Sequence, residues 1–267
     1  MRDAMAGWNP QRYAQFSGLR LRPALDLIGA LPALPAGDVV DLGCGAGAVA
    51  EPLQALADGR RLIGVDNACE MIARARDTGL YDVLVQQDLS AWQAEAPPAL
   101  ICSNAALNWV PEHGALIARL VAMLEPDGVL AVQVPRQSAR PSHALWRDLS
   151  GEMFPERFNW VEWESEVHAP GYYAELLNGL GECRVWETEY YQRLEPSQSA
   201  HGAALYPIHL WPPGAWSLVG GGANALRSAL FRGGGHLLHC RGGWERLVSL
   251  PQALLYGSKG CCLNTRQ

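Results

Sequence analysis

A short apolar run, Asp38-Val39-Val40-Asp41-Leu42, passes without a spacer into Gly43-Cys44-Gly45-Ala46-Gly47, and a helical spacing of apolar residues through Val49, Leu53 and Leu56 follows. Few folds accept this order. A buried strand must end in a turn that needs glycine's backbone freedom, and the chain must return as a helix. The pattern then repeats. Arg61–Asp66 reads as a second strand ending in an acid, followed by a helix over Met71–Ala75. Asp82–Asp88 reads as a third strand, again ending in an acid, and Ala99–Asn104 as a fourth. A helix over Leu116–Leu124 stops at Pro126-Asp127-Gly128, and a fifth strand covers Val129–Val134. Alternating strands and helices predict an α/β fold with a mostly parallel sheet and helices on both faces. Ligands of such sheets sit at the carboxyl ends of strands, near the switch point. Gly43–Gly47, Asp66, Asp88 and Asn104 all fall at such ends.

The flanks divide the chain further. Residues 1–35 read as an N-terminal helical cap, with apolar positions from Tyr13 and Phe16 to Leu27 and Ile28, closed by Pro32 and Pro35. Residues 36–135 form the ligand-binding core. Residues 136–195 read as a helical lid plus a sixth strand over Arg184–Tyr191. Residues 196–267 read as a glycine-rich tail. Only Glu245 of the chain's 27 acidic residues lies beyond Glu195, so composition changes abruptly there. Gly220-Gly221-Gly222, Gly233-Gly234-Gly235 and Gly242-Gly243 argue against regular structure in that stretch. The expectation is a poorly ordered tail, strongly divergent or translated in a shifted frame.

The formal charge of −6 argues against a general nucleic-acid binder, though not against a locally basic pocket for a small anion. No uninterrupted apolar run is long enough to span a bilayer, and Met1–Gln11 lacks the layout of a secretory leader. The cysteines show no zinc spacing and read as reduced thiols. These features suggest a cytoplasmic monomer that binds no metal, membrane or nucleic acid.

The glycine turn alone has two readings. Gly43-x-Gly45-x-x-Ala48 passes for a dinucleotide fingerprint. Yet Asp41 stands two residues before the first glycine, where a pyrophosphate gains nothing and a cationic ligand gains a partner. S-adenosylmethionine carries an α-ammonium and a sulfonium. On that reading Asp66 takes the ribose hydroxyls, with Asn67 beside it. Asp88 takes the adenine amino group, with Leu89 offering backbone contact, and Met71 packs on the adenine face. Each residue also has a structural reading: a strand-end Asp often caps a turn, and a helical Met is usually core. The ordered set of Asp41, Gly43, Gly45, Gly47, Asp66 and Asp88 is harder to reach by accident.

Val40-Asp41-Leu42-Gly43-Cys44-Gly45-Ala46-Gly47 and Gly64-Val65-Asp66-Asn67 resemble the first two motifs of the class I S-adenosylmethionine-dependent methyltransferases, with their Rossmann-like fold. Trp8-Asn9-Pro10-x-x-Tyr13-x-x-Phe16, Arg20-x-Arg22-Pro23, Ser103 to His113, Val132 to Pro135, Pro141-Ser142-His143 and Glu187 to Tyr191 resemble, more narrowly, the trans-aconitate 2-methyltransferase family. The similarity runs over roughly residues 5–195. It implies S-adenosyl-L-methionine as cofactor, held by Asp41, Gly43, Cys44, Gly45, Gly47, Asp66, Asn67, Met71, Asp88, Leu89 and Asn104. It also implies methyl transfer to one carboxylate of trans-aconitate, and an antiparallel seventh strand between strands five and six. No segment of the tail reads as that strand. Strand five is therefore expected to keep an open edge. Arg136-Gln137 stand where the family tends to have Asp-Asn.

A polycarboxylate needs cationic clamps, and arginine matches a carboxylate with two parallel bonds. Arg22 and His143 are the candidates, backed by Arg20 and Arg136. Trp8, Tyr13, Asn108 and Trp109 are candidate walls. Trp8 and Tyr13 read equally well as core aromatics, Arg22 as a solvated charge and His143 as a helix cap. No proton-transferring residue is expected. Three rivals remain open: carboxyl methylation of a malonyl thioester on acyl carrier protein, a nicotinamide dehydrogenase, and a cofactor-binding protein without catalysis.

Overall fold

The computed structural model describes residues 17–136, 144, 147–148, 150–152, 155–156, 167–194 and 246–258. The chain falls into two compact units. One comprises Met1–Gln15, Gln137–Ser165 and Glu189–Leu250; the other comprises Phe16–Arg136, Glu166–Thr188 and Pro251–Gln267. The second unit carries the elements that position the site.

Along the chain the described elements are α1 (Ser17–Gly29), β1 (Val39–Leu42), α2 (Ala50–Ala57), β2 (Leu62–Asp66), α3 (Cys69–Asp77) and β3 (Val83–Gln86). Then come β4 (Leu100–Asn104), a 3-10 turn at Leu107–Trp109, α4 (His113–Met123), β5 (Val129–Pro135), α5 (Pro170–Asn178), β6 (Glu182–Leu194) and β7 (Arg246–Ser258). The strand order is β3-β2-β1-β4-β5-β7-β6. β1 pairs in parallel with β2 on one side and β4 on the other, so the order reverses between β1 and β4. That crevice is where the alternating sequence pattern places a ligand.

Apart from Asp41 and Gln133, β1 and β5 are apolar without alternation up to Val134, because those residues are covered on both faces of the sheet. One face packs Val40, Leu42, Ile101, Leu130 and Val132 against α4 and α5 through Leu116, Leu120, Tyr173 and Leu177. The other packs Val39, Leu62, Leu100, Val129 and Ala131 with Ala24, Leu27, Val49 and Leu53 of the α1–α2 side.

The seventh strand is present, which corrects the expectation from the tail. β7 runs antiparallel to β5 with Val129 opposite Ser258 and Pro135 opposite Gln252, so the edge of strand five is paired. The glycine runs all precede Arg246 and do not interrupt it. Pro251 falls just outside the run of pairs with β5, so its missing N–H takes nothing from that ladder. The rest of the tail, 196–245 and 259–267, lies outside the described residues.

Strand three also ends sooner than its sequence suggests. β3 closes at Gln86, and Asp88 lies beyond it, opening the turn in which the Ala91 N–H donates to the Asp88 carbonyl at 3.1 Å. Among the described residues no helix is long and apolar enough to cross a membrane.

Candidate cofactor site

The glycine turn is pinned to the neighbouring strand. The N–H groups of Gly43 and Cys44 both donate to the Val65 carbonyl, at 2.8 and 3.0 Å, and that of Gly45 donates to Oδ2 of Asp66 at 2.9 Å. Gly47 N–H donates back to the Cys44 carbonyl at 2.9 Å. Four N–H donors of the turn are therefore committed within the protein, which weighs against the dinucleotide reading. Gly43 is required twice over: its φ is +85°, and an added Cβ would lie 2.2 Å from the Cβ of Ala106.

Asp41 sits in β1 with no exposed surface. Its register partner on β2 is Gly64. Because Gly64 has no side chain, the ring of Tyr81 can lie over it, 2.9 Å from where a Cβ would stand. The Tyr81 hydroxyl then reaches Oδ2 of Asp41 and donates to it at 2.6 Å. Oδ1 of Asp41 has no partner, although it is buried. Burial pushes the carboxyl up to about 7, the Tyr81 hydrogen bond opposes that, and the nearby Asp66 carboxylate adds to it. A buried carboxylate oxygen with no donor is costly unless a ligand brings one.

Two more buried oxygens among the described residues share this condition: Oδ1 of Asn104, at the end of β4, and Oδ1 of Asn108, in the turn that follows. Asp41 and Asn104 stand on the two strands that flank the switch point, and Asn108 lies just beyond β4. All three orphaned atoms are acceptors. The residues thus suit a ligand rich in donors, such as an ammonium group with hydroxyls or an amine. Between them Ala105 takes a left-handed φ of 52°, and its N–H donates to the Gln133 carbonyl at 2.9 Å. That unfavourable backbone turn sets the direction of the chain after β4.

Asp66 spends both oxygens on backbone, Oδ2 on Gly45 N–H and Oδ1 on Ala68 N–H, each at 2.9 Å. A carboxylate oxygen has a second lone pair, so ribose hydroxyls can still bond to it. Asp88 uses Oδ1 to accept from the Ser90 N–H at 2.8 Å and the Ser90 hydroxyl at 2.6 Å. Leu89 is buried and approaches Gly43, while Met71 is buried on α3. Asn67 is exposed and offers its carbonyl to the Gln86 amide at 3.3 Å. The Cys44 thiol packs with Ile72 and Ala75 of α3. Burial and the Asp41 and Asp66 carboxylates push it far up, so it stays protonated and is no nucleophile.

The acceptor candidates are more scattered. Trp8, Tyr13 and His143 lie outside the described residues, as does the side chain of Arg20. Arg22 is largely exposed and pairs with Asp26 one turn along α1 at 2.7 Å. Arg136 pairs with Glu187 of β6 at 3.0 Å. Trp109 is 50% exposed.

Four residues that build this region carry no assigned role in the sequence. Tyr81 and Gly64 are related to Asp41 only through sheet register, which no local spacing reports. His113, almost fully buried, donates from Nε2 to the Leu107 carbonyl at 2.8 Å. A carbonyl can only accept, so in the neutral ring Nδ1 is the acceptor and takes the Tyr173 hydroxyl at 2.7 Å. Arg119 holds the loop after Asp88, donating to the carbonyls of Leu89 at 3.1 Å, Ser90 at 2.9 Å and Trp92. A histidine, tyrosine or arginine on an amphipathic helix gives no sequence sign of such partners.

Comparison with known proteins agrees with this geometry. The family model of the methyltransferase domain matches residues 11–173. A trans-aconitate 2-methyltransferase of Escherichia coli is 38% identical over 198 residues, covering 73% of this chain and 76% of that protein. The solved structure of the YcgJ protein from Bacillus subtilis superposes with a TM-score of 0.56 at 14% identity, covering 90% of this chain and 99% of that one. A structure described as a DhpI-SAM-HEP complex gives a TM-score of 0.50 at 23% identity, over 68% of this chain and 87% of its own. At those identities the two structures speak for the fold alone. The family match and the curated relative speak for descent: this chain belongs to the methyltransferase domain family.

Proposed function

We propose that the chain transfers a methyl group from S-adenosyl-L-methionine to a carboxylate of trans-aconitate, giving a monomethyl ester. The observation that carries the cofactor half is the buried, unpartnered Oδ1 of Asp41 beside the glycine turn. The acceptor half rests on the 38% identity to a trans-aconitate 2-methyltransferase along three quarters of both chains.

Bound there, S-adenosyl-L-methionine supplies an electrophilic methyl group. The residues do the rest by binding and aiming. Asp41 accepts from the α-ammonium, Asp66 from the ribose hydroxyls, and Asp88 from the adenine amino group. Asn104 and Asn108 offer their orphaned oxygens to donors on the switch-point side. The acceptor carboxylate is already ionised at neutral pH, so no general base is needed. Such a carboxylate is a poor nucleophile when solvated; holding one oxygen in line with the methyl carbon contributes up to ~7–11 kcal/mol. Asn108 and Trp109 stand on the turn after β4, where an acceptor can meet the cofactor.

A malonyl thioester on a carrier protein asks for an exposed basic docking face, and no feature of the described residues favours it. The nicotinamide reading fails on the committed N–H groups of the glycine turn and on Asp41. A chain that binds cofactor without catalysis is not favoured by the family match. Labelled methyl transfer to a panel of small acids tests the proposal. Trans-aconitate should be labelled at one carboxyl; labelling of malonyl carrier protein alone, or of nothing, refutes it.

A further inference from the structure

One side chain of helix α4, Arg119, holds the loop assigned to adenine. Arg119 donates to three carbonyls of the loop after Asp88, those of Leu89, Ser90 and Trp92. A trans peptide points its C=O and N–H in opposite directions. When the Leu89 carbonyl turns to Arg119, the Ser90 N–H must point the other way, and it is found on Oδ1 of Asp88 at 2.8 Å. When the Ser90 carbonyl turns to Arg119, the Ala91 N–H points the other way, and it is found on the Asp88 carbonyl at 3.1 Å. The guanidinium therefore sets two peptide planes whose inner edges grip Asp88. This uses one carboxylate oxygen and leaves Oδ2 without a hydrogen bond among the described residues. A second contact from α4 supports the same loop: the Ala94 N–H donates to the Met123 sulfur at 3.4 Å.

We propose that Arg119 is a positioning residue for adenine recognition: by drawing the carbonyls of Leu89, Ser90 and Trp92 outward it aims Oδ2 of Asp88 at the exocyclic amine of the cofactor. The inference rests on the cofactor assignment made above. An aimed carboxylate accepts from an amine and repels a carbonyl oxygen in the same place. The site should therefore prefer S-adenosylhomocysteine over S-inosylhomocysteine, and Arg119 should set that preference. Lysine at this position has a single point of charge and cannot span three carbonyls as a planar fork does.

The test is calorimetric binding of S-adenosylhomocysteine and S-inosylhomocysteine to the full chain and to R119A and R119K. Losing these charge-assisted bonds should weaken S-adenosylhomocysteine about tenfold, with R119K intermediate. S-inosylhomocysteine should change by less than about twofold, so the preference collapses; the KM for the cofactor should rise while the KM for the acceptor stays put. Should R119A fail to fold, R119K carries the same comparison. Equal weakening of both ligands, or an unchanged preference in R119K, overturns the proposal while leaving the cofactor assignment standing. No binding of S-adenosylhomocysteine by the unaltered chain overturns both.

Discussion

The Tyr81 hydroxyl donates to one oxygen of the Asp41 carboxylate at 2.6 Å, and the other oxygen of that carboxylate stays buried without a partner. On the proposed reading Tyr81 holds the Asp41 side chain in place and a donor of the cofactor completes its hydrogen bonding. Tyr81→Phe leaves both oxygens unsatisfied. Destabilisation of about 1–3 kcal/mol should follow from the lost hydrogen bond in a buried setting. Affinity for S-adenosylhomocysteine should fall as well, because Asp41 becomes harder to ionise. Urea unfolding and calorimetry on the same variant check the two effects; unchanged affinity would remove Tyr81 from the site.

Cofactor binding should depend on pH through Asp41. Its carboxyl is pushed up to about 7 by burial, and an ammonium group needs it ionised. Affinity should weaken as pH falls from 8 to 6. The cofactor-free protein should behave in the opposite sense. A carboxyl whose folded pKa is raised binds its proton more tightly in the folded state, so its contribution to stability is fully present below the unfolded value of 3.8 and is lost as pH rises through about 7. Relative to D41N, the thermal midpoint of the ligand-free chain should therefore drop between pH 5 and 8. A flat difference across that range would mean that the carboxyl is not held in the buried state described.

Two glycines of the same turn should respond unequally to alanine. At Gly43 a Cβ meets Ala106 at 2.2 Å and φ is +85°, so Gly43→Ala should cost about 2–4 kcal/mol by adding overpacking to left-handed strain. At Gly45 the space is open and φ is +53°, so only the left-handed cost of about 1–2 kcal/mol applies. Thermal unfolding of the two variants side by side gives the ranking, and the reverse order contradicts the geometry.

His113 and Tyr173 should act on the acceptor rather than the cofactor. Through Nε2 the histidine anchors the Leu107 carbonyl, and Leu107 opens the turn that carries Asn108 and Trp109. The Tyr173 hydroxyl in turn accepts from the His168 N–H at 3.2 Å. Tyr173→Phe should raise the KM for the acceptor and destabilise by about 1–2 kcal/mol, with S-adenosylhomocysteine affinity retained. Steady-state kinetics separates the two substrates; a rise in the cofactor KM alone would assign the network to the other half of the site.

The strand–helix alternation, and the placing of Asp41, Gly43–Gly47 and Asn104 at strand ends, followed from local signals, whereas the strand order around β1 is seen only in the fold. Buried parallel strands read as unbroken apolar runs, glycine turns punctuate them, and strand-end acids stand out against both. Strand β7 did not follow, because its residues are specified by the open edge of β5 and not by their own pattern; a strand with Pro251 and Gly257 in it reads as a breaker-rich tail until its partner is known. Asp88 stands out in the sequence as an acid after an apolar run, but that β3 closes two residues before it is visible only in the fold. Arg22 and Arg136 were legible as cations, whereas their partners Asp26 and Glu187 were visible only in the fold.

The amino-acid order by itself determined the α/β alternation, the glycine turn and the three acids, because backbone sterics and burial act over a few residues at a time. Which oxygens stay unpaired and which side chain crosses to meet them was decided only in three dimensions. Tyr81 stands forty positions from Asp41 and reaches it because sheet register sets Gly64 beside that carboxylate. Contacts of that kind depend on strands pairing correctly, and pairing is a property of the whole sheet rather than of any one segment.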